Sequence, residues 1–140
     1  MHDGRLALDL SQSLPKVTVD GVQIQQVLMN LVHNAFEAQS HDVNRTVFAP
    51  EADEVMIATR LTEGGDVEVS VSDLGPGLAG DAEQKIFEPF FTTKASGTGL
   101  GLAISRSIIK AHEARLGYRA NQPRGACFFF VLPAQQEPSA

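Results

Sequence analysis

Two asparagines lie four residues apart, at Asn30 and Asn34, in a segment whose apolar residues recur at every third or fourth position. On a helix this spacing places the two amides one above the other. Each amide offers a carbonyl oxygen and an NH2 group, and neither carries a charge that would repel phosphates. The pair therefore suits a site for Mg²⁺ and a polyphosphate, because Mg²⁺ takes few protein ligands and keeps phosphate oxygens and waters around it. A solvated polar helix face is the competing interpretation, since polar residues are mostly exposed.

A carboxylate, Asp73, stands at the end of a run of alternating valines, and Gly75 and Gly77 follow it. At the end of a buried strand, a carboxylate can accept a hydrogen bond from an amino group, while the bare glycine backbone lets a flat ring approach closely. The same residue types also suit an ordinary turn after a strand. The sequence at this point supports both interpretations.

Three phenylalanines and a proline occupy an aperiodic segment that runs from Ile86 to Lys94. Long irregular stretches inside a compact domain are usually functional. The phenylalanines could anchor a lid to the core or simply pack on it. Lys94 could reach a phosphate or remain solvated.

Glycines at positions 97, 99 and 101 open the last predicted helix. Their backbone N–H groups lie at the positive end of a helix dipole, where anions bind. The segment lacks the Gly-Lys-Ser/Thr of a P-loop, and no buried strand precedes it as a dinucleotide-binding fold requires. It therefore predicts a phosphate site of another kind.

The elements that must carry these residues follow from the spacing of the apolar side chains. Alternation predicts strands, and we expect them over residues 5–10, 17–19, 55–61, 67–71, 116–120 and 126–132. Gly64 and Gly65 predict the turn of an antiparallel hairpin between the third and fourth of these strands, and residues 121–125 the turn of a final hairpin. The first two strands are expected to bury one face each. The polar stretch over residues 41–53 is expected to form an irregular surface loop.

Helical spacing predicts two helices. The first runs from Asp20, its N-cap, to about Ser40, and the second spans residues 100–112 with Ile104, Ile108 and Ala111 facing inward. This order of elements predicts an α+β fold, a two-layer α/β sandwich whose helices cover one face of a mixed, mostly antiparallel sheet.

Composition narrows the class of protein. The chain has 140 residues, a formal charge of −6 and 43% hydrophobic residues, which suits one globular domain. Nucleic acid is disfavoured as a partner because the few cations form no basic stripe. A lone cysteine, Cys127, favours a reducing compartment, and no apolar run approaches the length of a membrane span. We therefore expect a cytoplasmic domain without membrane contact.

In order and spacing, the four segments resemble the N, G1, F and G2 boxes of the ATP-binding catalytic domain of sensor histidine kinases, in the Bergerat-fold (HATPase) superfamily. The resemblance covers about residues 5–133, and the short lid is similar to that of nitrogen-regulation and oxygen-sensing kinases. It implies an ATP-binding catalytic domain over residues 1–133, a disordered tail over residues 134–140, and ATP and Mg²⁺ as cofactors.

The resemblance also implies a role for each matching residue. Asn34 would ligate Mg²⁺, Asn30 would assist at the phosphates, and Asp73 would bind the adenine amino group in a pocket shaped by Gly75 and Gly77. The lid and helix N-terminus would offer backbone groups to the phosphates from Thr98, Gly99, Leu100 and Gly101. His33 and Glu37 stand where many relatives carry cations, so Lys94 is the best candidate for a catalytic cation that neutralises phosphate.

Hydrolases of the superfamily place a glutamate four residues before the metal-binding asparagine, where this chain has Asn30. An amide cannot act as the general base that activates water, so we expect phosphoryl transfer rather than hydrolysis. None of the four histidines has the sequence context of the phosphoacceptor. The implied partners in two-component signal transduction are a histidine-bearing dimerisation domain of the parent kinase and a downstream response regulator. Two alternatives are a clamp-type ATPase and a degenerate nucleotide-binding module.

Overall fold

The computed structural model describes residues 5–40, 54–78, 85–88 and 101–135. Five strands form one sheet in the order β1-β2-β3-β5-β4, in which β1 and β2 are parallel and the other neighbours antiparallel. The elements are β1 (Arg5–Leu10), α1 (Gly21–Ser40), β2 (Glu54–Leu61), β3 (Val67–Ser72), α2 (Gly101–Ala111), β4 (Arg115–Ala120) and β5 (Ala126–Leu132). The predicted two-layer α/β sandwich is confirmed. The predicted loop over 41–53 lies outside the described residues.

Helix α1 begins where the sequence predicts, because Asp20 caps it. The Asp20 Oδ1 accepts hydrogen bonds from the N–H groups of Val22 and Gln23 at 3.1 and 3.2 Å, which satisfies two of the donors that a helix N-terminus leaves unpaired. The apolar stripe of α1 is buried through Val27, Leu31 and Ala35. Neither described helix is long and apolar enough to cross a membrane.

The sheet has two unlike faces. On one face, alternate side chains of β3 and β5 pack against both described helices and form the core. The core contains Val27, Leu31, Val55, Val71, Leu102, Ile109, Phe128 and Phe130. The residues of β3 and β5 that alternate with these side chains lie on the opposite face, the helix-free face, against which neither described helix packs. There the buried Glu68 carboxylate receives two hydrogen bonds of 3.0 Å from Arg119 and contacts Arg60 at 2.7 Å.

Strands β2 and β3 form the predicted hairpin. Leu61 pairs with Val67, and the turn between them contains Gly65 at a φ of 86°, a conformation that favours glycine. The same pairing continues along β2 and sets the end of β3 at Ser72, directly before Asp73. The hairpin therefore fixes where the candidate site begins.

Two predictions for the first strands are wrong. Residues 17–19 do not form a strand, since Val17 makes only an isolated bridge with Ala134. Strand β1 forms, but it buries no full face: Leu6, Leu8 and Leu10 are 51–61% exposed. Among the described strands it lies at the edge of the sheet and pairs with β2 alone, and the described helices pack over the strands further into the sheet.

The inward face of α2 also differs from the prediction. Leu102, Ser105 and Ile109 are the buried residues of this helix, whereas Ile104 and Ala111 are exposed and Ile108 is half-buried. The prediction named Ile104, Ile108 and Ala111 and did not include Ser105. In the structure the Ser105 hydroxyl has a hydrogen-bond partner, the side chain of Asn30, and burial is then tolerated.

Ala134 and Gln135, the first two residues of the predicted tail, lie within the described part of the chain. The N–H of Ala134 donates to Asp66 Oδ1 at 3.0 Å, and the N–H of Gln135 donates to the carbonyl of Lys16 at 2.6 Å. Residues 136–140 lie outside the described part of the chain.

Candidate functional site

Asp73 follows the last residue of β3 and is 3% exposed. Its Oδ1 accepts hydrogen bonds from the N–H of Gly75 at 2.8 Å and from the N–H of Ala126 at 3.2 Å. Its own N–H donates to the carbonyl of Ala126 at 2.9 Å, which continues the pairing of β3 with β5 by one residue. The carboxylate is thus a buried acceptor whose direction is fixed by backbone donors.

The two glycines after Asp73 lie in close backbone packing. A Cβ on Gly75 would stand 3.1 Å from Asp73 Oδ1 and 3.2 Å from the carbonyl oxygen of Ala38 on α1. Gly77 has a φ of 77°, and its Cβ would stand 3.1 Å from the carbonyl oxygen of Gly125. Gly77 therefore requires glycine for its backbone conformation, and at Gly75 a side chain would be packed more tightly than ordinary contacts allow. The sequence did not show this reason.

The turn between β4 and β5 donates hydrogen bonds to the segment from Asp73 to Gly75, which we call the Asp73 corner. Asn121 donates from Nδ2 to the Asp73 carbonyl at 2.8 Å, and Arg124 donates from Nε to the Gly75 carbonyl at 2.9 Å. Sequence reasoning missed both residues. Their composition indicates only a turn, and they lie 48 and 49 positions from their partners.

The two predicted amides lie on one face of α1, and both are half-buried. Asn30 donates from Nδ2 to the Ser105 hydroxyl at 3.2 Å and to the Gly101 carbonyl at 3.4 Å. The first segment is thereby joined to the beginning of α2, where Gly101 is the first residue. Sequence reasoning missed Ser105, because its partner lies 75 positions away on the other helix.

Oxygen donors on this face fit a hard cation. In a primary amide the oxygen and nitrogen lie on opposite sides of the carbonyl carbon, so fixing the NH2 of Asn30 against α2 also fixes the direction of its oxygen. Asn34, one turn along, is an amide of the same kind. Amide oxygens are ligands that Mg²⁺ accepts beside phosphates and water.

His33 and Glu37 contact each other across one turn of α1, with Nε2 and Oε1 3.2 Å apart. These are the positions where the resemblance leads one to expect cations. His33 is 73% exposed. The pair therefore lies at the surface of the helix.

His112 holds two helix ends together. Its Nε2 accepts a hydrogen bond of 3.0 Å from the N–H of Asp20, and its Nδ1 lies 2.8 Å from the Ile108 carbonyl. Because a carbonyl only accepts, Nδ1 is the donor in the second contact. This arrangement agrees with a packing role for His112.

Several predicted site residues lie outside the described part of the chain. These are Lys94, Thr98, Gly99 and Leu100. Of the phenylalanine-rich segment, residues 86–88 are described. Within them Ile86 is buried, and Phe87 makes an edge contact with Phe128 at 6.0 Å between ring centroids, so this end of the segment packs on the core.

The described geometry brings together three chemical features. A buried carboxylate stands at the end of β3, amide side chains lie on α1, and the beginning of α2 is tied to them through Asn30. Such a site suits a ligand that has an amino group at one end and anionic groups at the other.

A family model described as "Histidine kinase-, DNA gyrase B-, and HSP90-like ATPase" matches residues 19–136. The sensor protein FixL of Bradyrhizobium diazoefficiens is 43% identical over 133 residues, which are 95% of this chain and 24% of FixL. The sensor histidine kinase ZraS of Escherichia coli K12 is 35% identical over 129 residues, which are 92% of this chain and 25% of ZraS. The chain thus spans about a quarter of the length of these sensor proteins.

Solved structures agree in fold. The nucleotide-free catalytic domain of histidine kinase ThkA is 34% identical with a TM-score of 0.73, over 93% of this chain and 78% of that one. Full-length ShkA, solved in complex with AMPPNP, is 30% identical with a TM-score of 0.75, over 99% of this chain and 27% of that one.

Proposed function

This chain belongs to the family of histidine kinase-, DNA gyrase B- and HSP90-like ATPases, as a histidine kinase catalytic domain, and we propose that it binds ATP with Mg²⁺ and donates the γ-phosphate to a histidine on a separate dimerisation domain. The observation that carries the nucleotide assignment is the buried carboxylate of Asp73, oriented by two backbone N–H groups. The solved complex of ShkA with AMPPNP supports a ligand of this class for the fold.

Asp73 accepts a hydrogen bond from the adenine amino group. A carboxylate is an acceptor, so it pairs with the amino group of adenine and does not pair with the carbonyl oxygen that guanine has at the same ring position. A buried polar group left unpaired is costly, which makes the pocket selective for adenine. Gly75 and Gly77 shape the wall of this pocket.

Asn34 provides an amide oxygen to Mg²⁺, and Asn30 assists at the phosphates. When bound, the ion neutralises charge that develops on the phosphoryl group during transfer. The backbone of Thr98, Gly99, Leu100 and Gly101 faces the phosphates from the helix N-terminus. Lys94 supplies the cation that His33 and Glu37 do not.

Transfer is favoured over hydrolysis because Asn30 stands where a hydrolase needs a general base. The amide of Asn30 is engaged with Ser105 and Gly101, and an amide takes up no proton from water. The acceptor histidine lies on the dimerisation domain of the parent kinase, and a response regulator receives the phosphoryl group afterwards.

The test combines binding and transfer. Calorimetry of the chain with ATP, in Mg²⁺ and in chelator, should show binding in roughly the micromolar to millimolar range that is tighter with the metal. Incubation with labelled ATP and the dimerisation domain should label that domain, and the same domain with its histidine replaced by glutamine should stay unlabelled. Brisk ATP hydrolysis by the chain alone would support the clamp-type ATPase instead. Absence of nucleotide binding would support the degenerate module.

A further inference from the structure

The turn between β4 and β5 is stabilised by hydrogen bonds within the turn itself. The N–H of Asn121 donates to the Gly125 carbonyl at 3.0 Å, and the N–H of Gln122 donates to Asn121 Oδ1 at 2.9 Å. Gly125 has a φ of 104°, a conformation that side-chain-bearing residues rarely adopt. The turn is therefore a defined support rather than a loose connection.

This support holds both carbonyls that flank the Asp73 corner. Asn121 Nδ2 donates to the carbonyl of Asp73, and Arg124 Nε donates to the carbonyl of Gly75, two residues further on. Gly125 packs so closely that a Cβ there would overlap the carbonyl of Asp73. The corner is thus held by two side-chain donors and by direct backbone contact.

The direction of the Asp73 carboxylate depends on that corner. Its Oδ1 is oriented by the N–H of Gly75, inside the corner, and by the N–H of Ala126, directly after the turn. A small movement of either segment would lengthen these bonds and turn the carboxylate. Misplacement by about 1 Å in a binding or catalytic site can cost about a hundredfold in rate.

We propose that Asn121 and Arg124 are positioning residues for nucleotide recognition, which set the affinity and adenine selectivity of the site by holding the Asp73 to Gly75 corner. This inference rests on the proposed binding of adenine by Asp73. It assigns a role in recognition to the hairpin turn, and the two side chains act through the corner on the carboxylate.

Arg124 offers a matched pair of variants. Arg124→Met removes the N–H donor and keeps an unbranched apolar chain of similar length. Arg124→Gln removes the charge but places an amide N–H at the same number of bonds from Cα as the Arg Nε, so it can still donate to the Gly75 carbonyl. A positioning role predicts that the glutamine variant binds like wild type and that the methionine variant does not.

Asn121→Asp tests the other contact. It keeps the Oδ1 acceptor for the N–H of Gln122 but replaces the donor to the Asp73 carbonyl by an acceptor oxygen. Gln122→Glu is the matched control, because Gln122 is an exposed residue of the same turn and the substitution makes the same change in charge. Glu68→Gln, on the helix-free face, controls for a loss of stability alone.

The experiment is calorimetric titration of each purified variant with Mg-ATP and Mg-GTP, together with its thermal unfolding midpoint. Arg124→Met and Asn121→Asp should each weaken ATP binding by about fivefold to tenfold, the effect of one lost hydrogen bond, and should lower the ratio of ATP to GTP affinity. Arg124→Gln, Gln122→Glu and Glu68→Gln should leave that ratio unchanged.

Three outcomes would overturn the proposal. Folded Arg124→Met and Asn121→Asp variants with wild-type affinity and selectivity would show that the corner needs neither donor. Equal losses in Arg124→Gln and Arg124→Met would show that the guanidinium charge matters instead of the bond to Gly75. A wild-type chain that binds ATP and GTP equally would refute adenine recognition itself. The wild-type titration shows this outcome before any variant is compared.

Discussion

Two buried carboxylates, one on the central strand β3 and one directly after it, are held in opposite ways. Glu68, near the beginning of β3, is bound by the guanidinium groups of Arg60 and Arg119. The Oδ1 of Asp73, directly after the end of β3, is bound by the N–H groups of Gly75 and Ala126. One carboxylate meets full positive charges, whereas this oxygen of the other meets neutral dipoles.

The difference agrees with a structural role for Glu68 and with the proposed role of Asp73 in binding adenine. The hydrogen bond from Arg119 is the main cause that lowers the pKa of Glu68, against the opposing effect of burial, and the bond to Glu68 raises the pKa of Arg119 in return. Glu68 is therefore neutralised within the protein. Neutral backbone donors orient the Oδ1 of Asp73, so the direction of this oxygen is set by the fold.

The largest expected effect is a loss of ATP affinity when Asp73 is replaced. Asp73→Asn keeps one oxygen for the two backbone donors but replaces the other by an NH2 group, which cannot accept from the adenine amino group. We expect ATP affinity to fall by ~2–3 kcal/mol, the cost of an unpaired buried polar contact to a charged group. The ratio of ATP to GTP affinity should fall as well, since the new NH2 can donate to the guanine carbonyl.

Calorimetry with both nucleotides measures this change, and the thermal unfolding midpoint confirms that the variant is folded. A variant that still preferred ATP over GTP as strongly as wild type would show that Asp73 does not read adenine.

The second effect is a loss of folding stability when Glu68 is replaced. Glu68→Gln removes the charge between two arginines, which are themselves 41% and 64% exposed and can turn toward water. We expect a loss of ~1–2 kcal/mol, less than for a fully buried pair, seen as a fall of roughly 3–8 °C in the unfolding midpoint. ATP affinity should not change, because the cluster lies on the helix-free face.

Glu63→Gln is the matched control for this substitution, since Glu63 is an exposed residue of the β2–β3 turn. A Glu68→Gln variant that lost ATP affinity without losing stability would contradict the separation of the two carboxylates.

Much of this arrangement was predictable from local patterns, and the rest depends on distant parts of the chain. The N-cap at Asp20 and the hairpin around Gly65 are local, and both were predicted correctly. The hydrogen bond from Asn121 to the Asp73 carbonyl was not predictable, because it follows from the register that pairs Ser72 with Cys127. A register between strands so far apart in sequence is not fixed by alternation alone.

The error in the face of α2 has the same origin. Ile104 and Ile108 have helical spacing, and hydrophobicity alone assigns them inward. Burial of Ser105 becomes acceptable only because Asn30, 75 positions earlier, donates to it. Predicting that contact would have required the packing of α1 on α2 in advance.

The third effect separates binding of Mg²⁺ from recognition of adenine within the candidate site. Asn34→Ala removes the proposed amide ligand and leaves Asp73 intact. The tightening of ATP binding by Mg²⁺ should fall by about tenfold, or ~1.4 kcal/mol, while the ratio of ATP to GTP affinity stays as in wild type. Calorimetry in Mg²⁺ and in chelator measures both quantities. An unchanged response to Mg²⁺ would exclude Asn34 as the ligand.

The smallest effect concerns acid pH and returns to Glu68. Because the folded state holds the pKa of Glu68 below its ordinary value of 4.5, the unfolded chain binds the proton more readily. The stabilisation by this group is therefore complete above pH 4.5 and disappears as the pH falls through the lower pKa of the folded state. Urea unfolding of wild type and Glu68→Gln from about pH 7 down to about pH 3 should show a difference in free energy of unfolding that is constant at first and then shrinks. Glu63→Gln supplies the baseline for the change in overall charge. A difference that stays constant or grows on acidification would mean that the two arginines do not stabilise the charged form of Glu68, and the contrast between the two carboxylates would then rest on Asp73 alone.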